Sequence, residues 1–170
     1  KFAEHFDGPI AIRFARGVAF PEIKEDINLQ YGKGQILKEG SKDGNNAGGN
    51  VAIIAVGSMV EETYKAIDML EKENVHPAFV NPVFIKPMDT ELIKRVAENH
   101  KHIIVVEEGI KKGGFGESVE TFILESGIDA DVQVMAIDDR FVEQGNVALL
   151  REEIGISYKN IYEKVMELTR

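Results

Sequence analysis

Apolar residues in this chain fall in short unbroken runs, and the polar stretches between them carry apolar positions at helical spacing, a pattern that predicts a layered α/β protein. Residues 51–56 (VAIIAV), 78–80, 103–106 and 131–137 (DVQVMAI) are rich in β-branched side chains. Strands buried on both faces of a parallel sheet read this way. An earlier run over 34–38 (GQILK) predicts an edge strand, and 10–14 (IAIRF) a short strand after the turn at 7–9. Helical stripes lie between the runs: Val60, Tyr64, Ile67 and Leu70 in a helix from 59 to about 74, Leu92, Ile93 and Val96 over 90–99, and Val119, Phe122 and Ile123 over 117–126. Two amphipathic helices close the chain over 147–154 and 157–168, the second facing inward with Ile161, Val165 and Leu168. Ser58 (over Glu61), Asp89 and Ser157 stand where N-caps belong. With 10–14 left aside, the order β, β, α, β, α, β, α, β, α, α predicts a sheet with helices on both faces, its parallel core being strands two to five.

The stretch IIVVEEGIKKGGFGESVE at 103–120 organises the rest. It reads as strand, glycine-rich turn and helix, half of a βαβ unit, and in open parallel sheets the ends of such strands form the working edge. Glu107 and Glu108 close the strand and point to opposite faces while the strand persists. Either could act as a general acid or base. A carboxylate bonded to the amides of the glycine loop, or to a partner arginine, accounts for them at least as well.

Composition narrows the chemistry. The 170 residues suffice for one well-filled core plus an appendage, since domains hold about 100 to 150 residues. Lys and Arg number 20 against 29 Asp and Glu, a net charge of −9 that disfavours nucleic acid and anionic membranes as partners. The chain has no cysteine, so disulfides, thiolate metal sites and a cysteine nucleophile are excluded. No apolar run approaches the roughly 20 residues that cross a bilayer, and the first residues lack a signal peptide's apolar core, so the expected setting is cytoplasmic. The chain starts at Lys1 rather than Met, inside what reads as the tail of another unit, so a fragment or a trimmed form is expected.

Weaker features read as structural. His100 and His102 are expected at the surface rather than as a metal pair, and Asp138 and Asp139 lack the third ligand that a divalent cation needs. Gly57-Ser58 at a helix start could hold a phosphate but lacks the further glycines of a dinucleotide fingerprint. The loop 41–50 (SKDGNNAGGN) is expected to be mobile. Its Asp43-Gly44 and following Asn45 and Asn46 do not fit the GDG…N metal motif, because Lys42 replaces the first glycine and the asparagines come too early. Residues 18–29 show no period and contain Pro21, as a linker would. Arg13 and Arg16 end the first short strand beside Gly17 and would suit an anion, although spacing alone favours solvated charges.

Taken in order, GPIAIRFARG, GSM before a helix, FVNPVFIKPMD, VVEEGIKKGGFGESV and DDRFVEQGNVALLREEIGI resemble the end of the 1-deoxy-D-xylulose-5-phosphate synthase family, within the wider transketolase C-terminal domain family. The resemblance implies a three-layer α/β/α sandwich on a five-stranded mixed sheet whose first strand is antiparallel. It divides the chain into 1–17, the tail of a pyrimidine-binding domain, 18–33, a linker, and 34–170, the C-terminal domain. It also implies a thiamine-diphosphate- and Mg²⁺-dependent homodimeric enzyme that condenses pyruvate with glyceraldehyde 3-phosphate and releases CO₂, a step toward isoprenoid precursors. Arg16 falls where the family's second arginine binds the acceptor's phosphate, and a guanidinium offers phosphate a planar fork of donors. Arg13 then has a supporting role. Phe14 and Ala15 replace the family's usual Tyr and Pro, Gln144 its frequent His, and the loop 41–50 is longer than usual.

The cofactor-activating glutamate, the diphosphate and Mg²⁺ motif and the substrate-handling histidines lie upstream in this family. The segment alone is therefore expected to bind no cofactor and to be inactive, its partners being the upstream domains and a second subunit. Alternatives that share the fold are the C-terminal domain of a transketolase or of a 2-oxoacid dehydrogenase β subunit, a non-catalytic assembly module, and a small nucleotide-binding protein. The last suffers from the missing phosphate-loop fingerprint.

Overall fold

The computed structural model describes residues 2–14, 29–41 and 48–169. Strands β1 (Gln35–Glu39), β2 (Val51–Ala55), β3 (Ala78–Asn81), β4 (His102–Ile110) and β5 (Asp131–Ile137) form one sheet in the order β1-β3-β2-β4-β5. β1 runs antiparallel to β3, with Gln35 opposite Asn81 and Glu39 opposite Ala78, and the remaining pairings are parallel.

Each side of the sheet carries its own core, because successive side chains of a strand point to opposite faces. Val51, Ile53, Ala55, Phe79, Ile104 and Val106 face α2 (Met59–Lys72) and α6 (Tyr158–Leu168). Ala52, Ile54, Ala78, Val80, Ile103 and Val105 face α3 (Thr90–Asn99) and α4 (Phe115–Glu125). All five residues of β2 are buried, as the expected three-layer sandwich requires. The helical stripes dock as their spacing predicts: Val60, Ile67 and Leu70 are buried on α2, and Tyr64 meets Phe79 edge-on at 5.0 Å. Asp89 caps α3 by accepting from the Leu92 amide, and Ser157 opens α6 with a reciprocal capping box to Asn160.

Several expectations are corrected. Residues 10–14 form no strand: Ile12 and Phe14 are 63% and 84% exposed, and a strand needs a neighbour for its amides and carbonyls, which none of the described residues supplies. Before them, Phe2–His5 make a one-turn helix, α1, that the pattern did not predict. β4 continues past Val106 through both glutamates to Ile110, and α4 begins at Phe115 rather than 117. The helix expected over 147–154 forms as α5 (Val147–Ile154) but buries none of its residues, leaving Val147 and Leu149 exposed. Arg16, most of the proposed linker and the centre of the loop 41–50 lie outside the described residues. Among the described residues no helix is long and apolar enough to cross a membrane.

Candidate functional site at the carboxyl end of the sheet

β4 is irregular where its two glutamates stand. Val106 pairs with Met135 and Ile110 with Ile137, so four steps along β4 match two along β5. Bulges of this kind re-aim side chains near sheet rims. The strand's alternation then sends Glu107 toward the α4 layer and Glu108 toward the α2 and α6 layer.

Glu107 is buried and accepts hydrogen bonds from the amides of Phe115 (3.2 Å) and Gly116 (2.8 Å). These are first-turn donors of α4, which no preceding residue of that helix can satisfy. The N-cap, Gly114, has no side chain with which to do so, and the carboxylate also complements the positive end of the helix dipole. The glycines make room for it. A Cβ at Gly114 would lie 2.5 Å from Glu107 Oε1, one at Gly109 would lie 3.0 Å from Oε2, and one at Gly116 would overlap Val134. The backbone that the glycine-rich loop brings close therefore approaches the chain's own carboxylate.

Glu108 lies at the centre of a polar network on the other face. Arg151 of α5 grips it with a fork, Nε to Oε1 at 3.2 Å and Nη2 to Oε2 at 3.0 Å, and Ser58 Oγ donates to Oε2 at 2.5 Å. Arg151 Nη1 also reaches Glu62 Oε1 at 3.4 Å, and Glu62 accepts from the Tyr158 amide (2.9 Å) and Lys65 Nζ (3.0 Å). Arg13 Nη2 donates to the Glu108 carbonyl at 3.3 Å, joining the N-terminal segment to the same point. This corrects the expectation for Ser58. It makes no side-chain cap on α2, because its hydroxyl is engaged by Glu108.

Burial pushes the Glu108 carboxyl up, but hydrogen bonds from Arg151 and Ser58 and the charges of Arg151 and Arg13 outweigh it and hold the group below the ordinary carboxylate value. For Arg151, burial acts to lower the guanidinium's pKa and the bond to Glu108 more than restores it. A carboxylate held ionised and fully engaged makes a poor proton donor, so this cluster is a brace rather than an acid–base pair. The depressed native value also fixes a sign. The stabilisation is complete above the unfolded pKa of about 4.3 and is lost as pH falls through the native value. Urea unfolding of the wild type against Glu108→Gln is therefore expected to show a stability gap at pH 7 that closes below about pH 4. A gap unchanged down to pH 3 would contradict the assignment.

Of the residues singled out in the sequence, Arg13, Glu107 and Glu108 converge on this rim, with Ser58 added from the start of α2. His100 and His102 lie elsewhere, bonded to the Val96 carbonyl (2.8 Å) and Asp131 (3.3 Å). Asp138 and Asp139 are exposed, and the described residues hold no group of three His, Asp or Glu able to ligate a metal. The rim carboxylates of Glu107 and Glu108 are already bonded to amides, a hydroxyl and a guanidinium. Arg151 and Glu62 escaped the sequence reading: they lie 43 and 46 residues from Glu108, on helices whose local pattern announces no partner.

A family model described as "Transketolase, C-terminal domain" matches residues 38–161. The chain is 37% identical over 166 residues to 1-deoxy-D-xylulose-5-phosphate synthase of Alkaliphilus oremlandii (strain OhILAs), covering 97% of this chain and 26% of that protein. It is 35% identical over 170 residues to the same-named protein of Heliobacterium modesticaldum, covering 99% of this chain and 25% of that protein. The chain thus spans about a quarter of the length of these relatives. A solved structure described as "Split gene transketolase, inactive beta4 tetramer" superposes with a TM-score of 0.74 at 28% identity, over 86% of this chain and 46% of that one.

Proposed function

We propose, because the chain belongs to the transketolase C-terminal domain family, that it is the carboxyl-terminal part of a 1-deoxy-D-xylulose-5-phosphate synthase, a transferase joining pyruvate, with loss of CO₂, to glyceraldehyde 3-phosphate. The observation that carries this reading is similarity to such synthases along nearly the whole chain, 97% and 99% of it in two cases. Residues 1–17 are then the end of a preceding domain, 18–33 a linker and 34–170 the C-terminal domain. Thiamine diphosphate and Mg²⁺ belong to the upstream part, which with a second subunit completes a cytoplasmic homodimer. The segment's own part is architectural, together with the presentation of Arg16 to the acceptor's phosphate. Arg13 supports this placement by tying its segment to the Glu108 carbonyl, three residues before Arg16.

The test is made on the full-length protein. It is expected to form the five-carbon phosphate product, whereas the 170-residue chain alone does not. Arg16→Ala is expected to lower kcat/KM for glyceraldehyde 3-phosphate about tenfold, for one lost charge-assisted contact of about 1.5 kcal/mol, and to leave unphosphorylated glyceraldehyde unaffected. Equal loss with both aldehydes would remove Arg16 from phosphate binding. The likeness to a transketolase structure favours a second reading, in which the donor is a ketose phosphate. Release of CO₂ from pyruvate separates the two.

A further inference from the structure

Four aromatic rings meet where the N-terminal segment touches the residues just before β1 and just after β3. Tyr31 and Phe84 meet edge to face with centroids 5.9 Å apart. Tyr31 is held by the residues after it. Gly32, at φ +67°, packs so closely on Pro87 that a Cβ would lie 2.9 Å from its Cγ. Lys33 pairs with Glu91 at 2.5 Å and lies 3.6 Å from Asp89, and the Gly34 amide donates to Asp89 at 3.0 Å.

Phe84 is aimed by a backbone outlier. Val83 has φ +58°, the Phe84 amide donates to the Pro82 carbonyl at 2.5 Å, and Asn81 Oδ1 accepts from the Val83 amide at 3.0 Å. This is a γ-turn centred on a β-branched residue, a conformation such a residue adopts only when its surroundings impose it. Strain of that kind clusters where a side chain must be presented, and the side chain presented here is the Phe84 ring.

On the other side, Phe2 and Phe6 stack at 5.7 Å, with Phe2 edge-on to Phe84 at 5.5 Å and Phe6 tilted over Tyr31 at 5.0 Å. α1 has four residues and buries none of them. Isolated helices shorter than about 12 residues do not hold in water, so this turn depends on contacts with the rest of the chain, the ring contacts among them.

We propose that Tyr31 and Phe84 are a docking socket for the part of the protein that precedes this chain, and that α1 is the last turn of a helix belonging to that part. The occupant follows from what is seated there and from length: Phe2 and Phe6 already fill the socket, and the relatives carry about three quarters of their length outside the matched portion. The inference rests on the reading of the chain as a carboxyl-terminal segment and adds the surface on which the preceding unit sits. With Arg13 at the Glu108 carbonyl it supplies a second attachment, and two attachments fix an orientation where one would leave a pivot.

The experiment uses Tyr31→Ala/Phe84→Ala, with Phe2→Ala/Phe6→Ala reading the same contact from the helix side should the first pair prevent folding. In the 170-residue chain, amide exchange over residues 3–6 is expected to become about tenfold faster, with β2 and β4 unchanged. Unchanged exchange at 3–6 overturns the socket. In the full-length protein, calorimetry is expected to show one cooperative transition for the wild type and a separated transition for the C-terminal unit in the variant. A variant that still melts in one transition overturns the occupant. Synthase activity of the wild type reads the underlying functional assignment independently, so failure of that reading is distinct from failure of the socket.

Discussion

Glu107→Ala is expected to lower stability by about 4 kcal/mol, measured as a fall in the urea midpoint at unchanged m-value. Two charge-assisted bonds to the Phe115 and Gly116 amides are lost, each worth about 1.5 to 3 kcal/mol, and two buried first-turn donors are left among glycines that offer no replacement. Water entering the vacated space would recover part of this, which keeps the figure below the simple sum. Glu107→Gln keeps one acceptor oxygen and turns a donor toward the second amide, so about half the loss is expected, roughly 2 kcal/mol. Since domains of this kind are stable by about 5 to 15 kcal/mol, the alanine variant gives up a large share of the whole. A loss below about 1 kcal/mol, the size of an ordinary exposed cap, would show that α4 does not depend on the carboxylate.

Arg151→Met is expected to destabilise by about 2 to 3 kcal/mol. Methionine keeps the apolar stem while removing the guanidinium that joins Glu108 to Glu62. Fully buried pairs broken on one side lose about 3 to 5 kcal/mol; here Arg151 is 14% exposed but Glu108 is 32% exposed, so solvent screens part of the effect. A double-mutant cycle with Glu108→Gln isolates the pair. The double variant is expected to be less destabilised than the sum of the singles by about 1 kcal/mol or more, because removing the guanidinium no longer strands the Glu108 charge. Strict additivity would mean that the two groups stabilise the fold independently, contrary to their geometry.

The layered architecture was legible because β-branched runs fully buried on both faces have few other solutions, and Val51–Ala55 is such a run. Caps were legible where the acceptor and the amides it serves are three residues apart, as at Asp89 and Ser157. Ser58 had the same local signature and failed, since a carboxylate 50 residues away competes for its hydroxyl. The glutamate pair was visible by adjacency, and both non-catalytic alternatives hold at once: period-two geometry gives Glu107 the glycine-loop amides and Glu108 the arginine. Arg151 was not legible, because nothing on an exposed helix distinguishes an arginine that turns inward from one that stays in water. The segment 10–14 shows the opposite failure. Its short apolar run suits a strand, but such a run records what a segment could bury and says nothing about whether a neighbouring strand is present.

The reversed direction of β1 decides where the chain enters. Gln35 lies beside Asn81, so the polypeptide steps into the sheet at the rim where β3 leaves it. Had this five-residue strand run with the others, at about 3.3 Å per residue, its doorway would have opened roughly 16 Å away on the opposite rim. Turning one strand around thus sets the entry at Gln35 on the same threshold as Ser58, Glu108 and the glycine turn, which stand at or just beyond the carboxyl ends of β2 and β4.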